Sequence, residues 1–400
     1  MIATFKPCRL AGTISAPPSK SMTHRLLIGA ALSGEICTIS GVDYSEDILA
    51  TIDCLKALGA QVTEEGNRII IDPRGFMRVK DPVLNCRESG STLRFFLPIA
   101  LCMECPVVLQ GSKRLLERPL GIYEDLCLKN GFTFQRDEYA VTVCGSLTSG
   151  DYTLRGDVSS QFITGLLFAL VYRNESATIR VLPPFESRPY IKLTISALRA
   201  FGADVCFSDD LTVSVCPSRL HGYSGKVEGD YSNAAFLDAF NHLGSAVKIE
   251  NLNCDSLQGD RVYSDLFCKL SSGSHTIDIS DWPDLGPILF ALAAMKHGAI
   301  FTGTDRLKAK ESDRGLAMHQ ELEKLGGGLI FGDNTITVPR QTLAYKGNRI
   351  NGHNDHRIVM AMSVILSTLG GTIEGIQAVR KSYPGFFDDI KKLGAEVEIT

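Results

Sequence analysis

Hydrophobic positions along the chain fall repeatedly into one pattern: an amphipathic stretch at helical spacing, a glycine, and then a run of β-branched residues alternating with polar ones. Six copies close on Gly59, Gly131, Gly202, Gly244, Gly326 and Gly394, as in Cys54-Leu-Lys-Ala-Leu-Gly59-Ala-Gln-Val and Ile390-Lys-Lys-Leu-Gly394-Ala-Glu-Val. Glycine suits the left-handed position that ends a helix, and Lys or Arg in the last turn of several copies complements the helix dipole. The copies recur about 70 residues apart, too far for a solenoid, with one shorter interval between Gly202 and Gly244.

The residues after the glycines predict β-hairpins. Gln61 to Ile71 and Asp204 to Val215 each read as two short alternating runs around a polar turn. A second helix per unit is expected where small polar residues open an apolar stretch: at Ser19-Lys20-Ser21, Ser89 to Thr92, Ser159-Ser160-Gln161, Ser232-Asn233 and Asn354 to Arg357. The fold class is therefore α/β: two similar domains, each of three repeated α/β units with mixed sheets around buried helices. The short interval and the glycine cluster at 222–229 put the boundary there. One domain is expected over residues 15–222, and a discontinuous one over residues 1–14 plus 223–400, with a first strand from Cys8 to Ile14.

Composition narrows the function. Of the 400 residues, 44% are apolar and 22% charged, with 41 Lys and Arg against 45 Asp and Glu, so the net charge of −4 creates no field to gather nucleic acid or acidic membrane. Anions must be held locally. No signal or membrane-spanning segment is apparent, and a cytoplasmic location is expected. The 12 cysteines are scattered singly and are expected to be reduced and mostly buried; the lone Cys102-Met-Glu-Cys105 pair has no partner pair at metal spacing, so no metal site is expected. Phosphate loops with Gly-Lys-Ser/Thr, His-Glu-x-x-His motifs and Gly-x-Ser-x-Gly elbows are absent.

Candidate chemistry gathers at polar helix starts, where unpaired N–H groups and the helix dipole favour anions. Lys20, Ser21 and Arg25 lie within about 1.5 turns behind Pro17-Pro18, with Ser19 as a cap. Gly90 with Ser89, Ser91, Thr92 and Arg94 repeats the device. Arg118 stands before Pro119, an extended position, and Arg188-Pro189-Tyr190 and Lys381 to Pro384 look similar. Asp284 precedes an apolar helical run; Lys310 and Arg314 would share a helix face beside Glu311; His356 and Arg357 open another apolar helix. Each segment alone is equally compatible with an ordinary cap or a solvated ion pair.

Taken together and in order, these segments resemble the enolpyruvyl transferase family, most closely its branch acting on shikimate 3-phosphate. The resemblance covers nearly the whole chain. It implies two domains of three repeated units, an inside-out α/β barrel architecture, closing on the substrates. It also implies transfer of the enolpyruvyl group of phosphoenolpyruvate to the 5-hydroxyl of shikimate 3-phosphate through a tetrahedral adduct that loses phosphate, without a metal or other cofactor. Lys20, Gly90, Arg118, Gln161, Arg314, His356, Arg357 and Lys381 correspond to phosphoenolpyruvate contacts. Lys20, Ser21, Arg25, Ser159, Ser160, Gln161, Tyr190, Asp284 and Lys310 correspond to shikimate 3-phosphate contacts. Asp284, Glu311 and Lys20 correspond to the proton-transfer groups, and a monomer with small-molecule partners only is implied.

Two positions depart from the family pattern. Glu88 stands where many members have Asn, and Phe95 where many have Pro; a carboxylate beside an anion loop must turn away or pair, for which Arg87 is the candidate. Both bear on sensitivity to glyphosate, a family inhibitor that competes for the phosphoenolpyruvate site. The sister activity on a UDP-sugar typically has Lys-Asn where this chain has Lys20-Ser21, and a loop cysteine that is absent between Cys105 and Cys127. A binding-only relative would not need both Asp284 and Glu311.

Overall fold

The computed structural model describes residues 1–400. The chain divides into two compact units, one of residues 20–227 and the other of residues 1–19 and 228–400.

The 20–227 unit holds three four-stranded sheets of the same topology. In one, Val83–Asn85 pairs parallel with Val107–Gln110, followed by Ala140–Cys144 and Thr133–Arg136 as an antiparallel hairpin. A second repeats this with Asp151–Arg155, Ala177–Leu182, Thr212–Cys216 and Asp204–Phe207. In the third, Cys37–Ser40 and the hairpin Gln61–Glu65 with Arg68–Asp72 are joined by Ser224–Lys226, a strand from the far end of the unit. Both expected hairpins are present.

Every sheet carries two helices with different duties. Lys20–Leu32, Gly90–Ala100 and Ser160–Arg173 are apolar nearly all round and are buried almost throughout, forming the centre on which the sheets pack. Glu46–Ala57, Gly121–Asn130 and Arg188–Ala200 precede the hairpins and keep polar faces outward. Tyr123 of the second helix donates its hydroxyl to the carbonyls of Arg94 and Phe162, tying two central helices together at 2.8 and 2.9 Å.

The other unit follows the same plan less regularly. Thr276–Asp278, Ala299–Thr302, Thr335–Val338 and Ile330–Gly332 form one full sheet. A second combines Ile350–Asn351, Gly371–Glu374 and Val397–Ile399 with the N-terminal Ile2–Phe5. The third is reduced to Ala11–Ser15 parallel to Ala246–Glu250. Its buried central helices are Tyr231–His242, Gly286–Met295 and His356–Leu369. Tyr263–Ser272, Arg314–Lys324 and Phe386–Lys392 are the outer ones.

All six predicted glycines have positive φ, between +68° and +99°. One of them has a different place in its unit. The helix that ends before Gly244 is the central helix Tyr231–His242, so Ser232-Asn233 and Gly244 mark the two ends of one helix, not two helices. The interval after Gly202 is short because Gly244 ends a central helix where the other five glycines follow outer ones; the outer helix of that unit, Tyr263–Ser272, has no hairpin after it. The expected strand from Cys8 to Ile14 is the shorter Ala11–Ser15, and a further strand, Ile2–Phe5, precedes it in a different sheet. All 12 cysteines are free thiols, but only four, Cys37, Cys54, Cys86 and Cys127, are buried. No helix is long and apolar enough to cross a membrane.

Candidate active site

In the unit of residues 1–19 and 228–400, charge converges on two residues. Arg314 opens the helix Arg314–Lys324 behind the cap Asp313, and its side chain is 1% exposed. Its Nε donates to Asp355 Oδ2 at 2.9 Å, Nη1 to Asp284 Oδ1 at 2.8 Å, and Nη2 to Glu311 Oε2 at 2.8 Å. One planar fork thus ties three carboxylates. Asp284 in turn receives Lys310 Nζ at 3.0 Å on Oδ1 and Arg357 Nη2 at 3.1 Å on Oδ2.

Local backbone explains the convergence. Asp284 sits in the 3-10 turn Pro283–Leu285 that feeds the buried helix Gly286–Met295. His356 and Arg357 open the buried helix His356–Leu369, capped by Asp355, whose carboxylate accepts from the Arg357 N–H at 2.9 Å. Lys310 and Arg314 do not share a helix face as the spacing implied. Lys310 is extended after the 3-10 turn Asp305–Ala309, and reaches Asp284 from there. Lys381 ends the 3-10 helix Ile376–Lys381, not an extended segment, and gives its ammonium to the Asn354 carbonyl at 2.6 Å. His356 is buried with Nδ1 3.9 Å from Asp355 Oδ1.

These contacts set the ionisation. Burial alone pushes the Asp284 carboxyl up, but the charges of Arg357, Lys310 and Arg314 outweigh it and hold the group well below the usual carboxylate range. Burial likewise opposes ionisation of Asp355, and Arg314 overcomes it. Burial pushes Lys310 down to about 8 despite the pull of Asp284.

In the unit of residues 20–227, the predicted donors form four groups. Lys20 Nζ pairs with Asp47 at 2.7 Å. Arg25 lies buried over the Phe95 ring, donating to the Ser21 and Tyr190 carbonyls and to Thr194 Oγ1. Its charge is held against burial, which lowers its pKa to about 10. Ser159 caps the helix Ser160–Arg173 by accepting from the Gln161 N–H, and Ser160 is buried beside it. Gln161 accepts from Arg94 Nη1 at 2.6 Å and donates to Ser91 at 2.9 Å. Arg118, extended after Lys113–Glu117, lays its guanidinium against Gly90, where a Cβ would stand 2.5 Å from Nη1.

Arg188 differs from Arg118. It is the first residue of the helix Arg188–Ala200, because Pro189 is tolerated in a first turn. Ser19 gives its hydroxyl to Gln258. Arg87 does not pair with Glu88; its guanidinium is taken by Asp53 at 2.7 Å and Glu46 at 2.5 Å. Phe95 is a core residue, edge-on to His24 and Phe168.

Several residues of both clusters carried no distinctive sequence signal. Asp355 and Ser232 lay within helix-start motifs without a role of their own, and Asp260 lay in no motif. Thr51 interrupts an apolar helix face, which is the one signal that pointed to it, whereas Thr92 stood in the Gly90 segment already singled out. They pass hydrogen bonds from His24 Nδ1 at 2.8 Å to each other at 2.9 Å and on to Ser89 Oγ at 2.8 Å, pinning the turn before Gly90. Burial, with the charges of Lys20 and Arg25, keeps His24 neutral in that chain.

Residues 5–390 match the family described as EPSP synthase (3-phosphoshikimate 1-carboxyvinyltransferase). Among curated proteins, the 3-phosphoshikimate 1-carboxyvinyltransferases of Clostridium kluyveri and Clostridium novyi are 37% and 35% identical, spanning 99% and 98% of this chain and 98% and 97% of theirs. Among solved structures, the EPSP synthase of Acinetobacter baumannii superposes with a TM-score of 0.78 at 21% identity, over 100% of this chain and 99% of that one. The enolpyruvyl transferase NikO of Streptomyces tendae also gives 0.78, at 16% identity, over 100% of this chain and 98% of that one. With two units of three α/β repeats and a match that runs through nearly every segment carrying the charged clusters, this chain belongs to the EPSP synthase (3-phosphoshikimate 1-carboxyvinyltransferase) family.

Proposed function

We propose that this protein transfers the enolpyruvyl group of phosphoenolpyruvate to the 5-hydroxyl of shikimate 3-phosphate and releases phosphate, the step of the shikimate pathway that leads to chorismate and the aromatic amino acids. The observation that carries this reading is the Arg314 fork, which holds Asp284 and Glu311 side by side.

In the addition step the 5-oxygen attacks C2 of phosphoenolpyruvate while its proton leaves and C3 gains one, giving a tetrahedral ketal. In the elimination C3 loses a proton, the C2–C3 double bond re-forms, and the C2–O bond to phosphate breaks. Asp284 takes the hydroxyl proton, and Glu311 with Lys20 delivers and later removes the C3 proton. Held by Lys310, Arg314 and Arg357, Asp284 is a weak base. Substrate anions that draw off those cations raise its basicity where it is needed.

The substrates carry two phosphates and two carboxylates, and the donors divide between them. Arg118, Gln161, Arg314, His356, Arg357 and Lys381, with the Gly90 turn, take phosphoenolpyruvate; Ser21, Arg25, Ser159, Ser160, Gln161, Tyr190, Asp284 and Lys310 take shikimate 3-phosphate; Lys20 serves both. We take the enzyme to be a cytoplasmic monomer, so light scattering should return 43.5 kDa.

The test is phosphate release with each substrate omitted in turn and UDP-N-acetylglucosamine offered as the other acceptor. Release requires phosphoenolpyruvate and shikimate 3-phosphate together; release from phosphoenolpyruvate only when the UDP-sugar is the acceptor would move the protein to the sister activity. Asp284→Asn and Glu311→Gln each lower kcat by on the order of 10², and a folded variant at wild-type rate would remove that residue from the mechanism.

A further inference from the structure

Asp260 is a buried carboxylate that neither the proton transfers nor the substrate contacts above employ. It sits in the 3-10 turn Gly259–Val262, 4% exposed. Ser232, in the first turn of Tyr231–His242, donates its hydroxyl to Asp260 Oδ2. The same hydroxyl oxygen accepts from Arg357 Nη2 at 2.9 Å, and that Nη2 also donates to Asp284 Oδ2 at 3.1 Å. Four residues from four separate segments therefore form one directional chain from Asp260 through Ser232 to Arg357 and Asp284.

We propose that Asp260, acting through Ser232, is a positioning residue that sets the aim of the Arg357 guanidinium. A lone serine hydroxyl can rotate; a carboxylate accepting its proton fixes the oxygen lone pairs toward Arg357. Arg357 also lies over the Phe236 ring, 5.9 Å from its centroid, so its plane and its Nη2 direction are both held. Burying a carboxylate is costly unless it is paired and hydrogen-bonded, and an apolar side chain would fill the same space more cheaply if filling were the only demand. The groups that face Asp260 are Asp284, Arg357, Ser232 and Asp230; burial and the Asp284 charge push its carboxyl up to about 6, while Arg357 and Ser232 oppose that.

The inference rests on the assignment of Arg357 to phosphoenolpyruvate. Its test is steady-state kinetics with each substrate varied in Ser232→Ala, Asp260→Leu and Asp260→Asn, with urea midpoints measured alongside. Ser232→Ala and Asp260→Leu raise KM for phosphoenolpyruvate about ten-fold or more, as loss of a charge-assisted contact does, and leave KM for shikimate 3-phosphate within about two-fold. Asp260→Asn keeps an oxygen for the Ser232 hydroxyl and recovers most of the loss. Ser232→Ala combined with Asp260→Leu is no worse than either alone, because both break one chain. Folded Ser232→Ala with an unchanged KM for phosphoenolpyruvate, or with both KM values raised equally, overturns the inference. A wild-type protein that releases no phosphate from its substrate pair overturns the functional reading itself.

Discussion

At the scale of single residues, Arg314 and Asp284 are the two centres on which the buried charges meet. Each buried cation in this network already has a carboxylate partner, and each carboxylate has at least one cation. Such pairs offer little net stability, since desolvation offsets most of the attraction. Under the proposed function they keep the donors ordered until substrate anions compete for them. Lys310 makes the balance measurable. Its pKa is lowered to about 8 from 10.5, so its charge is present below pH 8 and lost above it. The kcat/KM for shikimate 3-phosphate should therefore fall about ten-fold per pH unit above that point, and Lys310→Arg, which stays charged, should remove the limb. A limb that persists in Lys310→Arg assigns it elsewhere. Stability moves the opposite way: between pH 8 and 10.5 the unfolded chain binds more protons than the native one at this residue, so its contribution to stability rises with pH.

Elements place those residues by bringing helix starts close together, and close packing is what allows it. The central helices Gly90–Ala100 and Ser160–Arg173 approach so nearly that a Cβ on Gly165 would collide with the Arg94 carbonyl and stand 2.5 Å from the Tyr123 hydroxyl and 3.1 Å from Phe95 Cα. Backbone cannot yield as a flexible side chain does. Gly165→Ala should cost about 1–3 kcal/mol as overpacking, read from the urea midpoint. It should also lower kcat/KM, because Arg94 and Gln161, whose hydrogen bond is 2.6 Å, ride on these two helices. An unchanged midpoint would mean that the helices separate at little cost. The contrast with Gly90 is instructive: there a Cβ meets the end of the Arg118 side chain, so the fold can accommodate it by displacing that guanidinium.

The whole molecule works with a net charge of −4, so its anionic substrates gain nothing from long-range attraction and depend on the local donors. Binding energy must then appear as stabilisation of the native state. Shikimate 3-phosphate at about 100 times its Kd should raise unfolding free energy by about 2.7 kcal/mol. Arg25→Gln should abolish most of that gain, and a full gain in this variant would remove Arg25 from the binding set.

Much of this organisation was legible along the chain because it depends on local rules. The glycines at 59, 131, 202, 326 and 394 close outer helices, since left-handed backbone after a helix favours glycine whatever lies around it. The hairpins at 61–72 and 204–216 follow from alternation and a polar turn. The helix starts at Lys20 and His356 were recognisable because the small polar residues and the apolar run they open are neighbours in sequence. What tertiary structure alone decided is which of these distant pieces meet. Gly244 closes a central helix, and the outer helix of its unit leads into no hairpin, so the third sheet keeps two strands, a fact of assembly that no local pattern records. Lys310 and Arg314 join on Asp284 by a bend that breaks the helical spacing, and Arg87 turns to Asp53 and Glu46, away from its neighbour Glu88. Asp260 and Ser232 look ordinary in sequence, and acquire a place beside Arg357 only when segments more than a hundred residues apart pack together and exclude water. Capping, turns and periodicity are set by neighbouring residues; the strength and direction of a buried charge are set by everything folded around it.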